Sequence, residues 1–329
     1  MSPSVEHPQP QAPPSPEVRD GADAGKLLII ALRCGRLGNR LALFANLIAY
    51  AAEHGHRLVN VTFHSYAHLF EVTRRDLYCR YPIARRRSLL DAIPPVGKAI
   101  RQTRLLYHPL RYLSLWNEKR PLFGKRVVTL RERPKQMIIL LDSPEVRAQI
   151  AEARVVFVYG WVFRAPEAMR NHAEVIRAYF RPIAEYERST TQAVERLRQQ
   201  ADVVLGVHIR HADQRTWFGG KYFFEAARYA QWMHELAAQF PGKRVAFLVC
   251  SDEPRRLDEF AGLTVGFAPG SPVEDMYALA KCDYVFGAVS SFTQWASFYG
   301  NKPLFQVRDT NDRLELSKFK VTYLDDIPR

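Results

Sequence analysis

The second half of the chain alternates short apolar runs with segments in which hydrophobic residues recur at helical spacing. Parallel strands need crossover connections long enough to hold a helix, so this alternation predicts a doubly wound α/β domain with a mostly parallel sheet. The predicted strands are VVLGVHIR, KRVAFLVCSD, LTVGFA, DYVFGAV and KPLFQV. The predicted helices between them are YFFEAARYAQWMHELAAQF, EPRRLDEFA, PVEDMYALAKC and SSFTQWASFYG.

The first half opens with a unit of the same style. KLLIIALRC at 26–34 predicts a buried strand, GRLGN at 35–39 a tight turn, and the next segment a helix that stops at Gly55. The next predicted strand is HRLVNVTF, which completes a βαβ unit. Later strands are predicted in KQMIILLD and ARVVFVYGW, and helices joining the two halves in PEAMRNHAEVIRAYF and IAEYERSTTQAVERLRQQ.

Two stretches lack this pattern. Residues 1–24 are rich in Pro and Ser and contain no apolar run, which predicts a disordered tail and not a signal peptide. Residues 66–135 carry basic clusters, several prolines and Trp116 without a clear period, and we interpret them as helices and loops. The 329 residues suffice for one large or two medium domains.

The charge composition limits the kinds of partner that the protein could bind. The net charge is +13 and the isoelectric point about 9.7, which suits nucleic acid, a nucleotide, an anionic glycan or a membrane surface. A generally basic surface explains the same numbers. Nucleic-acid binding rests on charge alone, because no RRM, KH or helix-turn-helix pattern occurs.

Cysteine usage bears on the compartment. The four cysteines form no CxxC pair and lie near apolar stretches, which predicts reduced core residues in a cytoplasmic protein. No apolar segment reaches the roughly 20 residues of a membrane helix. Peripheral contact with an anionic inner membrane face stays open.

Polar side chains follow two of the predicted strands. His208, Arg210 and Asp213 end one strand, and Ser290 and Ser291 end another. Ligands of open α/β sheets bind at the carboxyl ends of the strands. The serines are either a plain helix N-cap or the start of a phosphate site. Arg210 either forms a bidentate pair with an anion or an ion pair with Asp213.

Other motifs are weak. GRLGN is a Gly-rich turn, but it is neither a Walker loop nor GxGxxG. His64 and His68 lie one helical turn apart without a third ligand, so a metal site is disfavoured. No GxSxG turn or kinase signature occurs.

Four segments resemble the GDP-fucose-dependent fucosyltransferases, which include α-1,2, α-1,6 and protein O-fucosyltransferases. GVHIRHAD is similar to their H-x-R-R-x-D motif, and GRLGNRLALFANLIAYA to their N-terminal glycine segment. EDMYALAKCDYVFGAVSSFTQWASFYGNKP resembles a segment of the α-1,2 group. VYGWVFRAPEAMRNHAEVIRAYF resembles the stretch that precedes the H-x-R motif. The likeness covers residues 28–60 and 155–307.

The resemblance implies an α/β structure of GT-B type, with two Rossmann-like domains facing a donor/acceptor cleft. The N-terminal, acceptor-side domain would be residues 25–165, the connecting helices 166–200, and the nucleotide-sugar-binding domain 201–329. The donor would be GDP-fucose and the acceptor a glycan or lipid-linked sugar. Transfer would proceed with inversion, without a metal ion or any other cofactor.

Site residues carry over position by position. Arg210 matches the arginine that holds the donor diphosphate, and His208 the histidine near ribose and phosphate. Asp213 and Glu225 are candidate bases, although Asp213 could instead orient Arg210. The remaining substrate-binding matches are Ser290, Ser291 and Thr293 at the phosphates, Asp275 at guanine, and Arg36, Gly38 and Asn39 at the sugar end of the donor.

Two positions depart from the family pattern. The second arginine of the motif is His211 here, and the glutamine after GN is Arg40. These changes bear on the acceptor class more than on the activity. A glycosyltransferase with another sugar nucleotide, or a non-catalytic nucleotide- or glycan-binding relative, therefore stay as alternatives.

Overall fold

The computed structural model describes residues 25–84, 107–121, 123–134 and 136–325. The predicted tail at 1–24 and the Arg85–Arg87 cluster lie outside the described residues. None of the helices in the described ranges has the length and apolar character needed to cross a bilayer.

The N-terminal half of the described chain forms a four-stranded parallel sheet. The elements in chain order are β1 (Leu27–Ile30), α1 (Leu37–Glu53), β2 (Arg57–Val59), α2 (Tyr107–Lys119), β3 (Val127–Arg131), β4 (Ile139–Leu140), α3 (Pro144–Ile150), β5 (Val155–Tyr159) and β6 (Phe163–Arg164). The strand order is β2-β1-β5-β3, and the two short strands β4 and β6 pair separately.

Three helices lead into a second sheet of five parallel strands. The elements are α4 (Pro166–Asn171), α5 (Ala173–Tyr179), α6 (Ala184–Arg198), β7 (Val203–Ile209), α7 (Ala226–Ala237), β8 (Val245–Ser251), β9 (Thr264–Phe267), α8 (Pro272–Leu279), β10 (Tyr284–Ala288), α9 (Ser291–Gly300) and β11 (Leu304–Val307). The strand order is β11-β10-β7-β8-β9. The predicted α/β class with parallel sheets is thereby confirmed.

Three predicted elements are shorter or different. HRLVNVTF is a strand only over Arg57–Val59, because the Asn60 side chain accepts a hydrogen bond from the Thr62 hydroxyl and a 3-10 helix follows. KQMIILLD is a strand only at Ile139–Leu140. EPRRLDEFA forms a single 3-10 turn at Leu257–Phe260, since a segment this short nucleates an α-helix poorly.

One apolar cluster joins α1 and the first sheet to helices of the second half. Helix α1 is buried along nearly its whole length, as expected for a helix that is hydrophobic on all sides. Its Phe44 ring lies 5.3 Å from Phe180, which in turn lies 5.2 Å from Trp295 of α9. The Tyr277 hydroxyl of α8 donates to the Phe180 carbonyl at 2.7 Å. Helices from both halves thus pack into a single body, which fixes the start of α1 relative to the start of α9.

Candidate functional site

The site is built at the carboxyl ends of β7 and β10. These strands are neighbours, with Gly287 opposite His208. A Cβ on Gly287 would lie 2.4 Å from the His208 carbonyl oxygen, and the Gly287 φ of +154° also favours glycine. The glycine therefore lets β10 run close beside β7 and deliver the start of α9 next to His208.

The first turn of α9 is capped from within. Ser290 Oγ accepts from the Thr293 backbone N–H at 3.2 Å, and Thr293 Oγ1 donates to the Ser290 carbonyl at 3.0 Å. Both side chains are buried. The structure thus gives Ser290 the N-cap role, and the two hydroxyls serve the helix. The backbone N–H groups of Ser291 and Phe292 have no acceptor within the described ranges.

The start of α1 touches the start of α9. A Cβ on Gly38 would lie 2.7 Å from Ser291 Oγ and 3.1 Å from the Phe292 backbone nitrogen. The Ser291 hydroxyl also donates to Asn39 Oδ1. Two helix N-termini, each carrying about half a positive elementary charge, therefore meet at one point. Such a point favours an anion.

Arg40, at the departure from the family's glutamine, holds the glycine turn. It is buried, and its Nε donates to the carbonyls of Cys34 and Gly35 at 3.4 and 3.2 Å. Its Nη1 donates to the Thr62 carbonyl at 3.3 Å and to Ser65 Oγ at 2.9 Å. Arg40 therefore fixes the backbone that leads into α1. Sequence reasoning missed this role, because nothing local to GRLGN marks the side chain as buried.

Arg210 and Asp213 form a two-point ion pair. Arg210 Nε donates to Asp213 Oδ1 at 2.8 Å and Nη2 to Oδ2 at 2.6 Å. Hydrogen bonds from Arg210 lower the pKa of the Asp213 carboxyl, with a further contribution from the charge of exposed Arg36. A carboxylate held this way is a poor proton acceptor and a good orienting group. Arg210 Nη1 makes no hydrogen bond to the described part of the chain.

His208 is a neutral, buried imidazole. Its ring stacks on that of Phe292 with centroids 4.6 Å apart and an interplanar angle of 14°. Burial lowers the pKa of His208 to about 3, and Arg210 contributes in the same direction. His208 Nδ1 has no hydrogen-bond partner among the described residues. This nitrogen is itself buried, and the ring adds no positive charge at neutral pH.

Asp275 lies beside the end of β8 and is buried, 7% exposed. Its carbonyl oxygen is 3.6 Å from Cys250 Sγ, and Cys250 pairs with His208 in the sheet. The helix-start role belongs to Ser271, whose Oγ accepts from the Glu274 N–H at 3.4 Å and donates to the Glu274 carboxylate. Asp275 Oδ1 accepts from the Gly270 N–H at 2.8 Å. Burial raises the pKa of Asp275 to about 6.

His211, at the other departure, is buried and satisfied inside the fold. Its Nε2 bonds the Phe224 carbonyl at 2.8 Å, and Arg255 Nη2 lies 3.1 Å from its Nδ1. Arg255 also bonds Glu253 at 3.0 Å. Both ring nitrogens of His211 thus contact groups inside the fold, so the side chain does not replace the second arginine as a ligand contact. Glu225 is exposed and occupies the N-cap position of α7 without a capping bond.

The described residues offer no group of three or more His, Cys, Asp or Glu side chains arranged to hold a metal ion. His64 Nδ1 bonds the Val61 carbonyl at 2.9 Å, and both His64 and His68 belong to short 3-10 helices.

Comparison with solved structures defines the fold. A mutant of Arabidopsis thaliana FUT1 in complex with GDP superimposes with a TM-score of 0.53 over 92% of this chain and 75% of that chain, at 12% identity. Fucosyltransferase NodZ from Bradyrhizobium superimposes with a TM-score of 0.51 over 86% of this chain and 94% of that chain, at 20% identity. The chain has the GT-B fold of these fucosyltransferases.

This fold agrees with the family that the sequence motifs resemble. No family model matches the sequence. No curated protein matches it either.

Proposed function

We propose that the protein is a metal-independent glycosyltransferase that transfers fucose, with inversion, from GDP-fucose to a hydroxyl of a glycan acceptor. The observation that carries the proposal is the meeting of two helix N-termini at Gly38 and Ser291, with Arg210 at the neighbouring strand end. The neighbour of this fold that was solved with GDP is consistent with the same donor.

Electrostatics favours a diphosphate at this point. Two positive helix ends in contact repel each other, and the repulsion is relieved when an anion binds between them. The free N–H groups of Ser291 and Phe292 are suitable donors to phosphate oxygens. The Arg210 guanidinium, whose charge acts on the His208 ring that stacks on Phe292, is a further donor for the same anion.

The mechanism follows from the charge of the leaving group. GDP gains negative charge as the glycosidic bond breaks, and fixed cationic donors stabilise that charge in the transition state. Arg210 supplies one such donor, and Asp213 keeps it rigid through the two-point ion pair. Arg36, whose charge contributes to the lowered pKa of Asp213, is the second candidate cation for the leaving group. In this mechanism Asp213 is a positioning residue.

The remaining site residues are assigned roles from their positions near the carboxyl ends of the strands. Asp275 accepts the N1–H and N2–H₂ donors of guanine through its carboxylate, and His208 lies beside the nucleoside. Ser290 and Thr293 act by capping α9. Asn39 joins α1 to α9 through Ser291. Residues 201–329 then hold the nucleotide sugar, residues 25–165 lie on the acceptor side, and residues 166–200 connect them.

Nucleotide selectivity and turnover test the proposal. We expect GDP to raise the melting temperature more than ADP or UDP does, and we expect GDP-fucose to be consumed when a glycan acceptor is present. Preference for ADP or UDP would point to a different sugar nucleotide. GDP binding without hydrolysis or transfer would make the protein a non-catalytic relative. The change of the second motif arginine to His211, which bonds inside the fold, is consistent with that outcome.

A further inference from the structure

The segment after Asp213 presents aromatic rings at the surface. We call residues 215–223, RTWFGGKYF, the aromatic loop. The Phe218 side chain is 58% exposed, and its ring centroid lies 4.7 Å from that of Trp217. Buried Tyr222 lies 5.5 Å from Trp217, so the outer rings rest on a packed base. Exposed aromatic clusters mark surfaces that contact a ligand or partner.

The backbone holds Phe218 in this position at an energetic cost. Phe218 has φ 47° and ψ 40°, in the left-handed region, and Gly219 and Gly220 follow with φ of 67° and 82°. Glycine adopts this region freely, whereas a bulky residue does so rarely. Strain of this kind collects at functional sites, where the benefit of the side chain offsets it.

The aromatic loop is anchored to the ion pair of the proposed donor site. The backbone N–H groups of Thr216 and Trp217 donate to the Asp213 carbonyl at 3.3 and 2.9 Å. The Gln214 side chain donates to the carbonyl of Val289, the residue before Ser290, at 3.5 Å. The rings therefore keep a fixed position relative to Arg210 and to the start of α9.

Cations flank the rings. The Arg215 guanidinium lies 4.7 Å from the Phe223 ring centroid, and Lys221 Nζ lies 5.2 Å from that of Tyr222. A pyranose ring has an apolar face of C–H groups and an edge of hydroxyls. An aromatic surface bordered by hydrogen-bond donors matches both parts of such a ring.

We propose that the aromatic loop is the acceptor subsite, where the Trp217–Phe218 surface stacks on a pyranose ring of the acceptor glycan. The inference rests on the proposed function. It commits to a carbohydrate because the loop is anchored to the residue that positions Arg210, and transfer requires the acceptor hydroxyl close to the donor.

Phe218→Gly tests the subsite sharply, because it removes the ring and also relieves the backbone strain. Phe267→Ala is the matched control, since Phe267 is an exposed aromatic residue on β9 at the far edge of the same sheet. A glycan microarray with GDP-fucose as donor identifies an acceptor, whose KM is then measured. We expect Phe218→Gly to raise that KM about tenfold, with melting temperature not lowered and GDP affinity unchanged.

Phe218→Tyr should restore the wild-type KM, and Phe267→Ala should match wild type. An unchanged acceptor KM in Phe218→Gly overturns the subsite and leaves the proposed function standing. A wild-type protein that binds GDP but neither modifies nor binds any glycan of the array overturns the subsite and, with it, the proposed transfer to a glycan. Absence of GDP binding in wild type overturns the proposed function itself. The wild-type protein can also be sedimented with phosphatidylcholine–phosphatidylserine vesicles. If it binds them and Phe218→Gly does not, while the acceptor KM is unchanged, the loop contacts a membrane surface instead of a glycan.

Discussion

The Ser291 hydroxyl donates a 2.5 Å hydrogen bond to the Asn39 side-chain oxygen and so joins the first turns of α1 and α9 across 252 positions of sequence. Each helix follows a strand of a different sheet. The bond therefore fixes the geometry of the two helix N-termini that we propose to hold the donor diphosphate.

Gly38→Ala should weaken GDP binding. The added Cβ would lie 2.7 Å from Ser291 Oγ and 3.0 Å from the Ser291 carbonyl carbon, so the two helix starts must move apart. Overpacking of this kind costs about 1–3 kcal/mol of stability. We expect a lower melting temperature and, by calorimetry, a GDP affinity reduced by about tenfold or more. Ser291→Ala removes only the hydrogen bond to Asn39 and should have a smaller effect. Wild-type GDP affinity in Gly38→Ala would remove the helix contact from the site.

Arg210→Ala should abolish transfer while the fold survives. Loss of one fixed donor to a developing anion costs a factor of about 100–1,000 in rate. Arg210→Lys should also be poor, because a lysine cannot reproduce the two-point contact with Asp213. Arg244→Ala is a suitable control, since Arg244 pairs with Asp202 at the opposite end of β7. Near-normal turnover by a folded Arg210→Ala protein contradicts the assignment.

The secondary-structure pattern could be predicted from the sequence because buried strands and amphipathic helices differ in hydrophobic period. That pattern placed Arg210 and Ser290 at strand ends correctly. It could not show that Asn39 at the start of α1 meets Ser291, because a contact over 252 positions leaves no local signal. It also left the Arg210–Asp213 pair as one of two alternatives, and the structure contains the pair.

The two departures from the family pattern also show that the sequence does not reveal tertiary contacts. Sequence alone marks Arg40 and His211 as exceptions, without saying what they contact. In the structure each is buried, and each bonds to backbone carbonyls. Neither residue is therefore an exposed surface residue, and only the tertiary structure shows this.

Transfer should persist in excess EDTA. The cationic donors at the site, Arg210 and the N-terminus of α9, can take the role that a divalent ion plays in stabilising a diphosphate leaving group. Initial rates with GDP-fucose before and after chelation provide the measurement. Activity that is lost in EDTA and returns specifically with Mn²⁺ or Mg²⁺ would reverse the metal-independent mechanism.

The last prediction concerns the ionisation of Asp275. Burial raises its pKa to about 6 from the ordinary 3.8, so the folded state holds this proton more tightly than the unfolded state does. The stability contributed by this group is therefore greatest below pH 4 and falls as the pH rises from about 4 to about 6. Asp275→Asn cannot ionise and keeps an acceptor for the Gly270 N–H, so it should be more stable than wild type at pH 7.5.

Stability favours protonated Asp275, but guanine recognition requires the ionised form, because only the carboxylate accepts both N1–H and N2–H₂. The ratio of GDP to ADP affinity should therefore fall as the pH drops below about 6, approaching tenfold per pH unit. The ratio cancels the titration of the phosphates, which both nucleotides share. In Asp275→Asn the ratio should be smaller and independent of pH. Calorimetry at pH 5.0 and 7.5 with both proteins decides the matter: a wild-type ratio that does not change with pH, or a variant that keeps the full preference for GDP, means that Asp275 does not contact the base.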